Sequence, residues 1–384
     1  MASATAHNSA SLVFVWGDDE FSVKRRARQI FEEWRQGTGE LDQEIIDATA
    51  ANSGEALKAV AKLREALQTF PFLGGAKVIW FQNCNFLGDE RPAASQSVSE
   101  SLADLAQELQ SFAWENVRLL ISAGKVDKRK TFYKTVDKIA AVESLIGWTV
   151  DDRDWTAQAE NWALRELRGR KKRISDEALA TLVTGVGPHT RQLSNEVEKL
   201  ALFAGDREQI EIEDVVAVVI PNKQARAFAL GDALGDRDLP RLLRALDAEV
   251  SSLKLDSQKS EIGLLFGLIT KVRTLIFLKE MLREGWVKAD ADYPRFKAQL
   301  GRVPVEALPQ EKRINPLAMN PYVLFKALPQ ARRYSSAELV RALDLLLECN
   351  RRLVSSDLDE TLVLQQALVT IVGAADKRAS LANR

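Results

Sequence analysis

The sequence predicts an α/β domain followed by an all-α region. In the first 150 residues, short apolar runs rich in β-branched residues alternate with helical patterns, which favours a mostly parallel sheet flanked by helices. Strand signals fade from about residue 151, and from about residue 222 long helical patterns follow one another without strands between them. These changes predict three parts, at 1–150, 151–221 and 222–384.

Five strands are predicted in the first part. Each is a short apolar run bounded by polar or turn residues, the pattern of a strand buried in a parallel sheet. The predicted strands are 12–16, 43–47, 77–81, 117–122 and a weaker one near 144–150.

Helices fill the spaces between these strands. One is predicted over 21–31, and another is capped by Asn52 or Ser53 and ended by Pro71. The stretch 88–100 is polar and rich in Ser and Ala, which predicts a surface loop before a helix over 102–112.

The remainder of the chain reads as helices with one irregular segment. The clearest predicted helices are 155–168, 175–183, 190–203, 240–253, 262–282 and 336–353. Segment 284–320 carries four prolines and poor periodicity, so it is interpreted as an extended insertion or long connection in the helical bundle.

The turn after the first predicted strand stands where a phosphate-binding loop would lie. Such a loop needs several glycines, a lysine and a Ser or Thr to surround an anion. This turn reads Gly17-Asp18-Asp19-Glu20, and its three carboxylates would repel a phosphate. We therefore expect neither a nucleotide cofactor nor a catalytic site here.

The composition excludes several classes of protein and of functional site. The formal net charge is −1 with 28% charged residues, which is typical of a soluble globular protein. Cys84 and Cys349 are the only cysteines and His7 and His189 the only histidines, too few for a disulfide framework, a zinc site or a histidine-based triad. With no secretory pattern at 1–10 and no long apolar run, we expect a cytoplasmic protein without a membrane partner.

Two basic clusters are candidate contacts for nucleic acid. The first precedes a predicted helix, where cations oppose the helix dipole, so its placement favours a partner contact. The second ends a helix, so a solvated helix end and a phosphate-binding surface are both open interpretations. The candidate residues are Lys125, Lys128, Arg129 and Lys130 in the first cluster, and Arg170, Lys171, Lys172 and Arg173 in the second.

The most unusual apolar stretch follows the helix that Pro71 ends. It contains Phe70, Pro71, Phe72 and Leu73, followed by two glycines that make a turn. Exposed aromatics on a rigid turn are good anchors for a partner, whereas the same side chains could simply cover the edge of the sheet. The pattern alone leaves these two interpretations equal.

Four motifs in order resemble one known family. Residues 15–21 (VWGDDEF) are similar to its opening motif, and 70–75 (FPFLGG) to the segment before its next strand. Residues 125–134 (KVDKRKTFYK) and 193–200 (LSNEVEKL) are similar to two later motifs. On these residues the chain resembles, over nearly its whole length, the delta subunit of the bacterial DNA polymerase III clamp loader.

The resemblance implies a fold and a non-catalytic role. It implies an AAA+-like α/β domain over 1–150, a small helical lid domain over 151–221 and a helical collar over 222–384 that mediates oligomerisation. It also implies that the chain neither binds nor hydrolyses ATP. The chain would instead be a component of a DNA-directed DNA polymerase holoenzyme, which is a nucleotidyltransferase.

The resemblance further implies a clamp-binding tip. Phe72 and Leu73 match the main anchors that enter a pocket of the beta sliding clamp and favour opening of the ring, with Phe70 and Pro71 in support. The implied partners are this clamp, the delta-prime and gamma/tau ATPase subunits, and primer-template DNA facing the basic clusters. No small-molecule substrate is implied.

Two other functions compete with this interpretation. A stand-alone nucleic-acid-binding protein would use the basic residues of 165–173, and its affinity would fall steeply as salt rises. A nucleotide-dependent enzyme with an unusual site would bind ATP as an isolated chain.

Overall fold

The computed structural model describes residues 10–36, 42–71, 75–89, 91–149, 152, 154–220, 223–253, 261–311, 314–355 and 359–373. The chain divides into two compact units, residues 1–148 and 149–384. The predicted fold class, an α/β domain followed by helices, is confirmed.

The first unit is built on a five-stranded parallel sheet. Its strands lie in the order β2-β3-β4-β1-β5, and every neighbouring pair is parallel, as the alternation of strands and helices predicts. The strands are β1 (Leu12–Trp16), β2 (Gln43–Asp47), β3 (Lys77–Cys84), β4 (Val117–Ala123) and β5 (Ala141–Ser144).

Helices cover both faces of this sheet. Because successive side chains of a strand point to opposite faces, Val13 and Val15 of β1 pack against one layer while Phe14 packs against the other. Helix α1 (Glu20–Arg35) covers the first face. Helices α2 (Ser53–Gln68), α3 (Gln96–Ser111) and α4 (Thr131–Ile139) belong to the core of the second.

Two predicted boundaries in this unit are wrong. The last strand lies at 141–144 rather than 144–150, because it is an edge strand paired only with β1, and its half-buried residues give a weak apolar signal. Helix α3 begins at Gln96, inside the predicted loop 88–100. The polar residues there are the exposed side of an amphipathic helix whose first buried position is Val98.

The second unit is almost entirely helical. Its helices are α5 (Trp155–Gly169), α6 (Asp176–Val186), α7 (Thr190–Phe203), α8 (Ile212–Val218), α9 (Lys223–Asp236), α10 (Leu239–Leu253), α11 (Glu261–Arg283), α12 (Tyr293–Leu300), α13 (Pro321–Arg332), α14 (Ser336–Ser355) and α15 (Glu360–Gly373). A parallel pair of two-residue strands, β6 (Arg173–Ile174) and β7 (Gln209–Ile210), was not predicted because so short a strand has no periodic signal. The boundary at 221/222 between lid and collar stays a prediction.

The proline-rich segment 284–320 is more ordered than its sequence pattern indicates. It contains helix α12 and two short 3₁₀ helices, Val305–Ala307 and Pro316–Ala318. Phe296 and Leu308 from this segment are buried in the apolar core of the second unit. Their spacing is irregular because the chain contributes them from separate turns, so no helical period appears in the sequence.

None of the helices in the described ranges is long and apolar enough to cross a lipid bilayer.

Candidate functional site

Helix α2 leads directly into the candidate clamp-binding turn. Asn52 caps its first turn by accepting a hydrogen bond from the Glu55 amide at 3.0 Å, as the sequence predicts. At the other end, the Thr69 amide donates to the Glu65 carbonyl at 3.1 Å, and the backbone becomes extended before Pro71. The helix thus ends at Gln68, three residues before the proline.

The first apolar side chain beyond this helix points into solvent. Phe70 is 94% exposed, the highest value among the exposed large apolar residues, and Pro71 is half-buried. Of the predicted contacts, Phe72 and Leu73 lie outside the described residues. For Phe70, the geometry excludes the interpretation that the ring covers the sheet edge.

Lys77 joins the two ends of this turn. It opens strand β3, and its side-chain ammonium donates to the Ala66 carbonyl at 2.7 Å and to Thr69 Oγ1 at 2.5 Å. It also forms a 3.1 Å ion pair with Glu44 of β2. We call this set of contacts the Lys77 clasp, made by Glu44, Ala66, Thr69 and Lys77.

Sequence reasoning missed Lys77. A lysine at the start of an otherwise apolar strand is typical of a strand boundary and attracts no further attention. Lys77, however, follows the C-terminus of α2 by nine residues. Cations favour helix C-termini, so that proximity was the signal available.

The turn between β1 and α1 is closed by backbone contacts. The Gly17 amide donates to the carbonyls of Ala123 and Gly124 at 3.2 and 3.3 Å. A Cβ atom at position 17 would stand 1.7 Å from the Leu145 carbonyl oxygen. Glycine is required here for this close backbone approach.

The two aspartates of this turn are used inside the fold. Asp19 caps α1 by accepting hydrogen bonds from the Ser22 amide at 3.1 Å and from the Ser22 hydroxyl at 2.5 Å. Asp18 accepts a 2.7 Å hydrogen bond from the Gly147 amide. The helix N-terminus, which in a phosphate loop would face the anion, therefore already holds a carboxylate.

A pocket of about 340 Å³ lies beside this turn, at the carboxyl ends of β1 and β4. Its charged lining residues are Asp18, Asp89, Asp127, Lys125, Lys128 and Arg129. Three acids and three bases give the pocket little net field for an anion. The Lys128 ammonium stands 5.0 Å from the centre of the Trp16 ring, in a cation–π contact.

Two more cations of the first basic cluster, Arg129 and Lys130, have partners within the fold. Arg129 donates to both carboxylate oxygens of Asp127, at 2.9 and 3.0 Å, and its guanidinium and backbone amide lower the pKa of Asp127 to about 2. The Lys130 ammonium donates to the Ala93 carbonyl at 2.8 Å. Lys125 is exposed.

The second basic cluster is divided between structural and exposed side chains. Lys172 donates to the carbonyls of Gly205 and Arg207, the latter at 2.7 Å, and so ties α5 to the turn after α7. Arg170 forms an i,i+4 ion pair with Glu166 at 3.0 Å. Lys171 and Arg173 are exposed, so they are the members of this cluster best placed to meet a phosphate.

The cysteines provide no reactive thiol. Both are free and buried, and burial raises the pKa of the Cys84 thiol to about 12 and also raises that of Cys349. Across the described ranges, no three side chains of His, Cys, Asp or Glu come together to hold a metal ion.

Comparison with known proteins finds similarity to one family. Residues 14–144 match the family model described as DNA polymerase III, delta subunit. Over 312 residues the chain is 22% identical to the DNA polymerase III subunit delta of Bacillus subtilis (strain 168), a match that covers 81% of this chain and 80% of that protein. Over residues 14–144 the chain thus matches the DNA polymerase III delta-subunit family. The resemblance found from the four motifs is confirmed.

Two solved structures are similar to this chain. The Bacillus subtilis DNA clamp loader delta protein is 19% identical with a TM-score of 0.43, covering 97% of this chain and 98% of that one. A DNA polymerase III gamma subunit-related protein from Thermotoga maritima is 13% identical with a TM-score of 0.27, covering 96% and 97%.

Proposed function

We propose that this chain is a clamp-loader delta subunit, which binds the beta sliding clamp through Phe70, Pro71, Phe72 and Leu73 and promotes opening of the ring. It would act in DNA replication, in the cytoplasm, as a non-catalytic component of the polymerase holoenzyme. The observation that carries the proposal is the 94% exposure of Phe70 at the end of a firmly capped helix. A monomer gains nothing from an aromatic ring held in water, whereas a partner's pocket gains an anchor that needs little ordering.

Ring opening would follow from differential binding. Contacts that are stronger to the opened ring than to the closed ring shift the equilibrium towards the open form, and a ligand with equal affinity for both shifts nothing. The clamp would then close around primed DNA once these contacts are released.

The β1–α1 turn supports a role without ATP hydrolysis by this chain. Asp19 occupies the helix N-terminus, and Gly17 lies against the Leu145 carbonyl. ATP would therefore have to be bound by sister subunits, the gamma/tau ATPases. This chain would contribute the clamp-binding tip.

Helices α14 and α15 offer a surface for those sister subunits. On α14, Val340, Leu347 and Val354 are exposed at seven-residue spacing, so they form one stripe. Helix α15 packs against α14, carries exposed Leu362 and Val369, and has no charged residue after Glu360. Apolar faces of this kind suit an obligate assembly, so we assign it to contact with delta-prime and gamma/tau.

The assembly surface has a direct test. Leu347→Glu places a charge in the middle of the stripe, and we expect it to prevent co-elution with the sister subunits in size-exclusion chromatography. Leu202→Glu is the control, since Leu202 is exposed but lies on α7. Equal loss in both variants would contradict the assignment of this stripe.

Clamp binding is tested with the purified chain and the beta clamp of its own organism, without nucleotide. Calorimetry should detect a complex that is lost in the Phe72→Ala/Leu73→Ala double variant, with circular dichroism unchanged. No complex at high protein concentration would contradict the proposed function.

A stand-alone nucleic-acid-binding protein is the second candidate, favoured by exposed Lys171 and Arg173. Each neutralised phosphate releases counterions, so binding to primed DNA through this cluster would weaken steeply as salt rises. An apolar clamp contact would change little. DNA binding without clamp binding, lost in Lys171→Ala/Arg173→Ala, would favour this candidate.

A further inference from the structure

Lys77 is a buried lysine whose side chain has no free donor. The residue is 6% exposed, and its ammonium has three N–H donors for three acceptors, in Ala66, Thr69 and Glu44. Lysine is seldom buried unless it is paired, because removing an ammonium from water is costly. An apolar residue would fill this position without that cost, but it could not join Ala66, Thr69 and Glu44.

The acceptors connect three elements at one point. Ala66 is in the last turn of α2, Thr69 follows that helix, and Glu44 belongs to β2. The Lys77 amide also donates to the Asn116 carbonyl at 2.7 Å, next to β4. Through Lys77, the end of α2 is fixed to the sheet.

The clasp closes the turn that presents Phe70. Thr69 immediately precedes that turn and Lys77 follows it, so the 2.5 Å contact between Lys77 Nζ and Thr69 Oγ1 joins its two ends. Thr69 Oγ1 in turn donates to the Ala66 carbonyl at 3.0 Å. The direction in which the chain leaves α2, and therefore the direction of Phe70, is set by these side-chain contacts.

We propose that Lys77 is a positioning residue for clamp binding, which fixes the end of α2 and the direction of Phe70 before the clamp arrives. The inference rests on the proposed function, since it assigns a role to Lys77 at the same site. An anchor residue that is oriented in advance loses less conformational entropy on binding than one that is free to move. Breaking the clasp should therefore weaken binding although Lys77 touches no partner.

The test separates the clasp from general stability. Thr69→Val removes the hydroxyl and keeps the side-chain shape, whereas Thr69→Ser keeps the hydroxyl. Lys77→Met removes the ammonium from a chain of similar length. Thr370→Val is the matched control, because Thr370 also donates from a hydroxyl to a helix carbonyl, that of Gln366, but lies in the second unit.

Two readouts are needed for each variant. In the free protein, 4-fluorophenylalanine at position 70 reports the motion of the turn through ¹⁹F relaxation. In a second experiment, calorimetry measures the dissociation constant for the beta clamp. We expect Thr69→Val and Lys77→Met to increase the motion and raise the dissociation constant about tenfold, as lost preorganisation predicts, while Thr69→Ser and Thr370→Val resemble the wild type.

Each outcome has a distinct meaning. Unchanged ¹⁹F relaxation in both Thr69→Val and Lys77→Met would overturn the positioning role, as would increased motion with unchanged clamp affinity. If the wild-type protein fails to bind the clamp while the variants still mobilise position 70, the proposed function fails and the clasp is supported. Thr69→Val keeps the test decisive even if Lys77→Met does not fold.

Discussion

Two turns of the α/β unit meet the ends of helices in opposite ways. The turn from β1 into α1 is folded inward, with Asp19 on the helix amides and Gly17 against the Leu145 carbonyl. Beyond the end of α2, by contrast, Phe70 is exposed. One turn uses its polar groups inside the fold, and the other exposes a large apolar side chain.

The difference shows what remains available for function. A helix N-terminus attracts anions and a C-terminus attracts cations. Here the chain supplies both, Asp19 at the start of α1 and Lys77 at the end of α2. Asp19 and Lys77 thus satisfy groups at these two helix ends from within the chain.

The largest expected effect on stability comes from a substitution in the β1–α1 turn. Gly17→Ala should lower the free energy of unfolding by more than about 4 kcal/mol, because the new Cβ would meet backbone that cannot move aside. That Cβ would stand 1.7 Å from the Leu145 oxygen and 2.5 Å from its carbon. Urea unfolding measures the loss.

Gly124→Ala is the matched control, since a Cβ there meets no atom within 4 Å. It should change stability by about 1 kcal/mol or less. Equal stability of the two variants would show that the β1–α1 turn is not closed as described.

A substitution in the turn after α2 should change the affinity for the clamp rather than the stability of the protein. Phe70→Ala should weaken clamp binding by about tenfold, roughly 1.4 kcal/mol, the scale of an apolar contact that matters in an interface. Thermal unfolding should not change, because Phe70 is 94% exposed. Leu202→Ala, at a side chain 75% exposed on α7, is the control and should leave clamp binding unchanged. A lower melting temperature without a loss of affinity would place Phe70 in the core.

The β1–α1 turn was largely predictable from sequence. The apolar run, the glycine and the three carboxylates indicated a strand, a tight turn and the lack of a phosphate site. What the sequence lacked was the contact partner of Gly17, the carbonyl of Leu145, because Leu145 lies more than 120 residues away in the chain. Local patterns carry no information on such long-range backbone contacts.

For the turn after α2, the structure reveals more than the sequence does. The pattern of 70–73 left exposure and burial equal, and only the structure resolves Phe70 as exposed. Lys77 was missed because its role depends on three partners that the fold brings together from α2 and β2. The helix α12 was missed for a related reason, since Phe296 is buried against other helices rather than within a periodic stripe.

A smaller effect should follow from the cap of α1. Asp19→Ala should cost about 1 kcal/mol of unfolding free energy, because the Ser22 amide loses its acceptor. Asp19→Asn should cost much less, since asparagine caps helices as well as aspartate does. If the asparagine variant is as unstable as the alanine variant, the negative charge rather than the hydrogen bond holds the turn.

The smallest expected effect is a change in the pKa of Asp127, beside the β1–α1 turn. The Arg129 side chain and amide hold the pKa of Asp127 at about 2, below its ordinary 3.8. A lowered pKa means that the contact exists above the ordinary value and is lost as the pH falls towards 2. Arg129→Ala should raise this pKa part of the way to 3.8, because the amide of residue 129 still donates, and ¹³C NMR titration of the carboxyl carbon measures it. An unchanged pKa would mean that Arg129 is free of Asp127 in solution and could contact a phosphate. The charges beside the β1–α1 turn would then not be satisfied within the fold.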